Sequence, residues 1–336
     1  MRTHEQRASL GRTAIALGVA LWVTSPTAAA PPSPRGKELL VGKAERLLVI
    51  APHPDDETLG AGGLAQRVLA RGGSARIAIL TAGDDYLEGV EHESGTLHPR
   101  PADFVSYGEL RMGEARAASR ELGGDRIRIA DLGFPDGGLQ PLLHEHWKRL
   151  HPETSSATLA SKPPYSDVVN RKLLYDGADL RAALVRLLRE TQPTLIALSD
   201  PLDKHPDHSA TGLFTLLAVR DWIAGTDRPP ERFPRLVAYL VHWPGWTPGT
   251  AGAPAPQAGA RLALPEDLTI RRLGRAVLSL TAPEIATKGR ALACHASQQQ
   301  LMPELFAAFS GPTEPFSLLD QRDVEEAERT IEAGGH

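Results

Sequence analysis

Val49-Ile-Ala-Pro-His-Pro-Asp-Asp-Glu-Thr-Leu-Gly-Ala-Gly-Gly63 runs from an apolar segment into a histidine and three acidic residues, then into a glycine-led stretch of helical pattern. Leu47 to Ile50 reads as a short buried strand. Pro52 and Pro54 favour an extended path for the residues that precede them, which presents His53, Asp55 and Asp56 beyond the strand end. Open α/β sheets bind ligands at that edge. A second cluster, Asp200-Pro-Leu-Asp-Lys-His-Pro-Asp-His208, follows the apolar run Thr194 to Leu198 and repeats the design.

Outward from these two clusters, strand and helix patterns alternate. Strands are predicted near 47–51, 76–81, 127–132, 194–199 and 235–241, with helices near 60–71, 108–122, 178–190 and 208–222. That order predicts an α/β fold with a largely parallel sheet and helices on both faces. The 178–190 pattern is the clearest, with Leu180, Leu184, Leu187 and Leu188 on one face and Arg181, Arg186 and Arg189 free to stay wet. Three long insertions break the alternation at 83–107, 137–175 and the Gly/Pro/Ala-rich 244–260. The first two leave the edge that carries the His/Asp clusters, so they are expected to wall a pocket. Short strands, antiparallel in character, are expected at 261–264, 268–270 and 276–280, and a helix near 283–300. Residues 31–44 read as a linker, 45–310 as one domain and 311–336 as a charged tail that frays.

The chain has 336 residues, 41% of them hydrophobic, enough for a substantial core. Its formal charge of -4 provides no general attraction for nucleic acid. A single cysteine, Cys294, excludes an intramolecular disulfide framework and reads as a packed helix residue. Residues 1–30 have the pattern of a secretory signal: Arg2, Arg7 and Arg12, the apolar run Ala14 to Val23, and a small-residue exit with cleavage expected after Ala29. A secreted or periplasmic location follows from that pattern, and the run is too short to leave a transmembrane helix in the mature chain.

The two clusters carry the parts of a metal hydrolase. His53 and Asp56 lie three apart on a turn, and His205 and His208 lie three apart where Pro206 opens a helix. His53, Asp56 and His208 make a three-ligand set for one divalent metal: zinc, with ferrous iron as the alternative. Asp55 is then the base for a metal-activated water, and His205 is placed to stabilise an oxyanion and pass a proton to the leaving group. Glu57 reads as a turn-bonding residue. The Gly60-Ala-Gly-Gly-Leu-Ala65 stretch formally fits a dinucleotide fingerprint, but the intervening carboxylates would repel a pyrophosphate, so its glycines read as close helix-to-sheet packing.

Ala51-Pro-His-Pro-Asp-Asp-Glu57 resembles the signature of the PIG-L / LmbE-like N-acetylglucosaminyl deacetylase family, and His205-Pro-Asp-His208 resembles that family's second motif. The resemblance implies a Rossmann-like, LmbE-like fold. It gives His53, Asp56 and His208 as metal ligands, Asp55 as general base and His205 as the catalytic histidine. Gly108-Glu-Leu-Arg-Met-Gly-Glu-Ala115 is similar to the family helix whose arginine reaches the sugar, which would make Arg111 a substrate contact. Leu132-Gly-Phe-Pro-Asp-Gly-Gly138 is similar to its Gly/Asp loop and would place Asp136 in the pocket. Lys288 to Gln298 is similar to the helix that closes the fold. The activity implied is hydrolysis of an N-acetyl group on an amino sugar, a glycolipid or a polysaccharide, releasing acetate and a free amine.

Two other classes stay open from the residues alone. One is a metal hydrolase of another ester or phosphoester bond. The other is a non-catalytic secreted carbohydrate-binding protein. His242 and Trp243 close the 235–241 strand and are candidates for the pocket, the indole as a stacking surface for a sugar. His92, His98, His144, His146 and His151 read as surface residues.

Overall fold

Leu47, Val49 and their neighbours Leu48 and Ile50 are fully buried on both sides of one strand, because β2 lies in the middle of an eight-stranded sheet. The computed structural model describes residues 36–225, 233–246, 259–269 and 271–334. The signal-like segment 1–30 and most of the 244–260 connector lie outside the described residues.

The strands are β1 (Lys37–Glu38), β2 (Arg46–Ala51), β3 (Ser74–Thr81), β4 (Ile127–Phe134), β5 (Leu195–Ser199), β6 (Arg235–Tyr239), β7 (Arg275–Ser279) and β8 (Thr313–Leu319). The helices are α1 (Asp56–Ala70), α2 (Leu87–Ser94), α3 (Pro101–Gly123), α4 (Leu139–His144), α5 (Gly177–Thr191), α6 (Pro206–Ala224), α7 (Ala282–Ala293), α8 (Ala296–Gln299), α9 (Pro303–Phe309) and α10 (Gln321–Gly334). Sheet order is β1-β7-β8-β6-β5-β2-β3-β4. All pairings are parallel except those of β8, which runs antiparallel to both β6 and β7. The expected α/β architecture is therefore present.

Successive residues of β2 feed different cores. Leu47 and Val49 pack with Leu59, Leu64 and Val68 of α1 and with Leu122 of α3. Leu48 and Ile50 pack with Leu180, Leu184 and Leu188 of α5 and with Phe214 of α6. A strand covered on both faces must be apolar at every position, which is why it reads as an unbroken run and not as an alternation. Each buried leucine or isoleucine of this kind contributes about 1.5–3 kcal/mol. Asp176 caps α5 by accepting from Asp179 N at 2.8 Å, and the four leucines expected on its inner face are buried.

The sequence expectations fail at both ends of the domain. Residues 36–44, the described part of the expected 31–44 linker, are not simply a linker: β1 extends the sheet beside β7, and Leu39 and Val41 are buried. Residues 311–334, the described part of the expected 311–336 tail, are not frayed. Thr313–Leu319 is the strand that joins β6 to β7, and α10 packs its Val324 and Ala327 against the core that holds Phe214. All described residues fall within one compact unit, Pro34–His336. Near the other end of the chain, 261–264 and 268–269 form no strand, and the helix expected at 283–300 is split into α7 and α8.

Candidate metal centre and active site

β2 and β5 are hydrogen-bonded neighbours, and the chain leaves them for opposite directions across the sheet: β2 leads to β3 and β5 leads to β6. A crevice opens at the carboxyl ends of two such strands. Both His/Asp clusters sit there. The ring centroids of His53 and His208 lie 5.1 Å apart, and His205 lies 5.0 Å from each.

His53, Asp56 and His208 each offer a ligand atom within 4.8 Å of the others, and all three are buried. Asp56 Oδ2 is the hub, 3.1 Å from His53 Nδ1 and 3.3 Å from His208 Nε2. Burial opposes charge on these groups, but it loses. His208 is raised to about 9 by Asp56 and Asp203, and Asp136 foremost, helped by Asp207 and Asp56, holds His53 well above its ordinary value. His208 in turn keeps Asp56 well below the usual carboxylate range.

The residues present fit a divalent cation. Neither ring nitrogen of the fully buried His208 makes an aligned hydrogen bond, although both face carboxylates. Two imidazoles and one carboxylate are also the ligand types of a hydrolytic metal. A second set, His53, His205 and Asp207, is equally close. It is the poorer site, because both Asp207 oxygens already accept backbone hydrogens, from Leu139 N at 3.0 Å and Gly137 N at 2.7 Å.

Asp55 precedes α1 with φ 147° and ψ -33°, a conformation few side chains adopt. Its carboxylate accepts from Arg111 Nη2 at 3.1 Å. Burial pushes Asp55 up to about 6, against the opposing pull of Arg111. Arg111 also donates to Pro54 O at 3.1 Å and Gly83 O at 2.6 Å. Gly83, at φ +64°, has to be glycine, since a Cβ there would lie 2.0 Å from the guanidinium. Arg111 borders the cleft, with its two Nη groups holding Asp55 and two carbonyls and its buried Nε without a partner, so it supports the base from the position where the sugar contact was expected.

His205 is the N-cap of α6: its Nδ1 accepts from Asp207 N at 3.2 Å. That bond fixes the tautomer with hydrogen on Nε2. Burial, then His53 and His208, push His205 down to about 3, so the ring is a neutral donor. Asp136 lines the cleft, but its Oδ1 lies 3.0 Å from His53 Nε2 and its Oδ2 accepts from Asp85 N at 2.8 Å. His242 also lines the cleft, 4.7 Å from the His208 ring.

Trp243 does not line the cleft. It turns into a separate cluster with Leu240, Leu264 and Leu268, under the Lys204 ammonium, and donates to Asp267 Oδ1 at 3.0 Å. A buried indole needs a hydrogen-bond partner, and Asp267 supplies it away from the site.

The cleft holds about 320 Å³. Asp85 and Tyr86 of the first insertion and Gly137 of the second border it, as expected of pocket walls, but the second insertion contributes little else. Gln298, at the end of the segment similar to the family's closing helix, completes the wall with Met302 and Leu305, which nothing in their sequence marks.

Two carboxylates escaped the sequence reading. Asp203 Oδ2 lies 3.4 Å from His208 Nδ1 and accepts from Val241 N and His242 N at 2.9 and 3.0 Å. Asp207 faces His53 Nε2 at 3.4 Å while capping the start of α4. Their place inside the second His/Asp cluster was the available signal. Glu57 bonds the turn as expected, and a Cβ on Gly60 would meet the Tyr239 ring at 2.3 Å, which accounts for the glycine-led start of α1. His92, His98, His144 and His151 are exposed, His146 is half-buried, and Cys294 closes α7 half-buried.

Residues 48–219 match the family described as PIG-L, GlcNAc-PI de-N-acetylase. A 1D-myo-inositol 2-acetamido-2-deoxy-alpha-D-glucopyranoside deacetylase of Rhodococcus opacus is 30% identical over 191 residues, 55% of this chain and 56% of that protein. The enzyme of the same name from Mycolicibacterium vanbaalenii is 28% identical over 77% of this chain and 82% of its own length. The chain thus spans little more than half the length of the Rhodococcus relative. Among solved structures, an antimicrobial-reagent pseudoaglycone deacetylase aligns over 82% of this chain and 98% of its own, with TM-score 0.50 and 20% identity, a likeness of fold.

Proposed function

The chain belongs to the PIG-L (GlcNAc-PI de-N-acetylase) family, and on that premise we propose that it is a metal-dependent hydrolase that removes the acetyl group from the nitrogen of an amino sugar. The observation that carries the reading is the convergence of His53, Asp56 and His208 beside a buried, strained Asp55 and a neutral His205. Zinc suits this ligand set, with ferrous iron as the alternative.

His53, Asp56 and His208 would hold a divalent cation, which would supply a lowered water pKa, toward about 7, and polarisation of an amide oxygen. The chain's own residues do the rest. Asp55 accepts the proton of the attacking water, and its elevated pKa suits a group that must hold that proton and return it. His205 offers its Nε2 hydrogen to the oxygen that gains charge as the carbonyl carbon becomes tetrahedral. The amide nitrogen must be protonated to leave, and Asp55 or His205 supplies that proton. Asp203 holds His208 in orientation and Asp207 faces His53 in the same way.

The substrates we propose are N-acetylated amino sugars joined to a larger glycolipid, polysaccharide or glycoconjugate, met outside the cytoplasm if the signal-like residues 1–30 act as a leader. The test is metal analysis of the purified protein together with acetate release from N-acetylated sugars of each class. One metal per chain with acetate release supports the reading. Tight sugar binding without acetate release would overturn it.

A further inference from the structure

Asp55 is held in its unusual backbone by side chains other than its own. As the N-cap of α1 it makes no side-chain cap, and its N–H donates instead to Glu57 Oε2 at 2.9 Å. The other Glu57 oxygen accepts from Thr58 Oγ1 at 2.7 Å and lies 3.3 Å from His295 Nε2. Because the Thr58 hydroxyl hydrogen goes to Glu57, its oxygen is left to accept from His295 Nε2, 3.2 Å away. One imidazole hydrogen is thus shared between Glu57 and Thr58. His295 is fully buried, in the turn between α7 and α8, 240 residues after Asp55. The neighbouring residues anchor that turn: Ser297 donates twice to Glu114 of α3, and Gln298 bonds to the Tyr107 hydroxyl.

A non-glycine residue at φ 147° is strained and persists only where its surroundings hold it there. Arg111 fixes the carboxylate end of Asp55, and Glu57 fixes the amide end. We propose that His295 and Glu57 are a positioning pair for the base: His295 locks the Glu57 carboxylate, and Glu57 locks the Asp55 amide, so that the carboxylate points into the cleft. Neither residue touches the substrate. The inference rests on the reading of Asp55 as the base.

The experiment compares Asp55→Asn, His295→Leu, His295→Gln and Glu57→Gln with the parent protein, reading kcat, KM, metal content and melting temperature for acetate release. Asp55→Asn tests the underlying reading: if it retains turnover, Asp55 is not the base. With Asp55→Asn inactive, His295→Leu is expected to lose about 10- to 100-fold in kcat with KM within about twofold and metal content unchanged, the size of effect that a small misplacement of a reacting group produces. His295→Gln, which can still donate to Glu57, is expected to recover most of the loss. Glu57→Gln keeps an oxygen for the Asp55 amide, but its amide nitrogen can accept from neither His295 nor Thr58, so its loss should fall between the two. If His295→Leu does not fold, Glu57→Gln decides. Parental kcat in His295→Leu or Glu57→Gln, or a loss that tracks metal content and is not relieved by His295→Gln, would overturn the proposal.

Discussion

Asp203 stands 3.4 Å from Nδ1 of His208, on the far side of the ring from Asp56, and both side chains are completely buried. A carboxylate there orients the imidazole and raises its basicity toward whatever Nε2 binds. Replacing Asp203 with alanine is expected to weaken metal binding by about 10- to 100-fold, the usual cost of losing such a partner. A chelator competition titration measures it, and unchanged affinity would contradict the role.

Removal of a ligand and removal of the hydrogen donor His205 should separate cleanly. His208→Ala is expected to lose metal and turnover together. His205→Gln is expected to keep its metal and lose about 100- to 10,000-fold in kcat, the range for a lost acid–base group. Metal content by atomic emission and acetate release on the same samples provide the comparison.

The metal-free protein should be pH-sensitive in a defined direction. His208, with its pKa raised to about 9, contributes stability that is fully present below its unfolded value near 6.5 and is lost as pH rises through 9. A shift of that size corresponds to about 3 kcal/mol. Urea denaturation between pH 6.5 and 9.5 should show the loss. A bound cation takes the place of the imidazolium proton, so loading the protein should remove the slope and release protons on binding.

His242 and Trp243 are adjacent in sequence and opposite in consequence. His242→Ala is expected to raise KM, because the ring borders the cleft. Trp243→Ala is expected to leave KM unchanged and to cost about 3–5 kcal/mol of stability through the emptied space in its cluster. Steady-state kinetics and thermal unfolding of the two variants report this.

Lys288 and Glu314 are both 1% exposed and 2.7 Å apart. Glu314 also accepts from Gly63 N and Leu64 N of α1, and Lys288 donates to Leu59 O. Lys288→Met is expected to destabilise by about 3–5 kcal/mol, since it strands a buried carboxylate, and adding Glu314→Gln should recover much of that loss. Denaturant unfolding of the single and double variants checks the recovery.

The contrast between what could and could not be read from sequence has physical causes. The five parallel strands β2 to β6 were legible because β2 and β5, buried on both faces, are apolar almost throughout and β3, β4 and β6 keep apolar runs. The group His53, Asp56 and His208 that could hold a metal was legible because His53 and Asp56 lie three apart at one strand end and His208 lies in a second His/Asp cluster at the next. β8 was not: Thr-Glu-Pro-Phe-Ser-Leu-Leu carries a glutamate and a proline, and Glu314 is acceptable inside because Lys288 and the Gly63 and Leu64 N–H groups meet it from elsewhere in the chain. Arg111 and Asp136 were placed at the site, but their contacts with Asp55, His53 and backbone groups are ones that no local pattern reveals. Trp243 was misplaced because alternation gives the face of a residue within a strand and says little about a residue just past its end.

Because β8 lies between β6 and β7 yet follows both in the chain, the growing polypeptide leaves two strand edges facing a gap until residue 319 has been made. Open edges of that kind recruit other chains. Yield on expression should therefore depend on whether a chaperone shields those edges until synthesis reaches the strand that fills them.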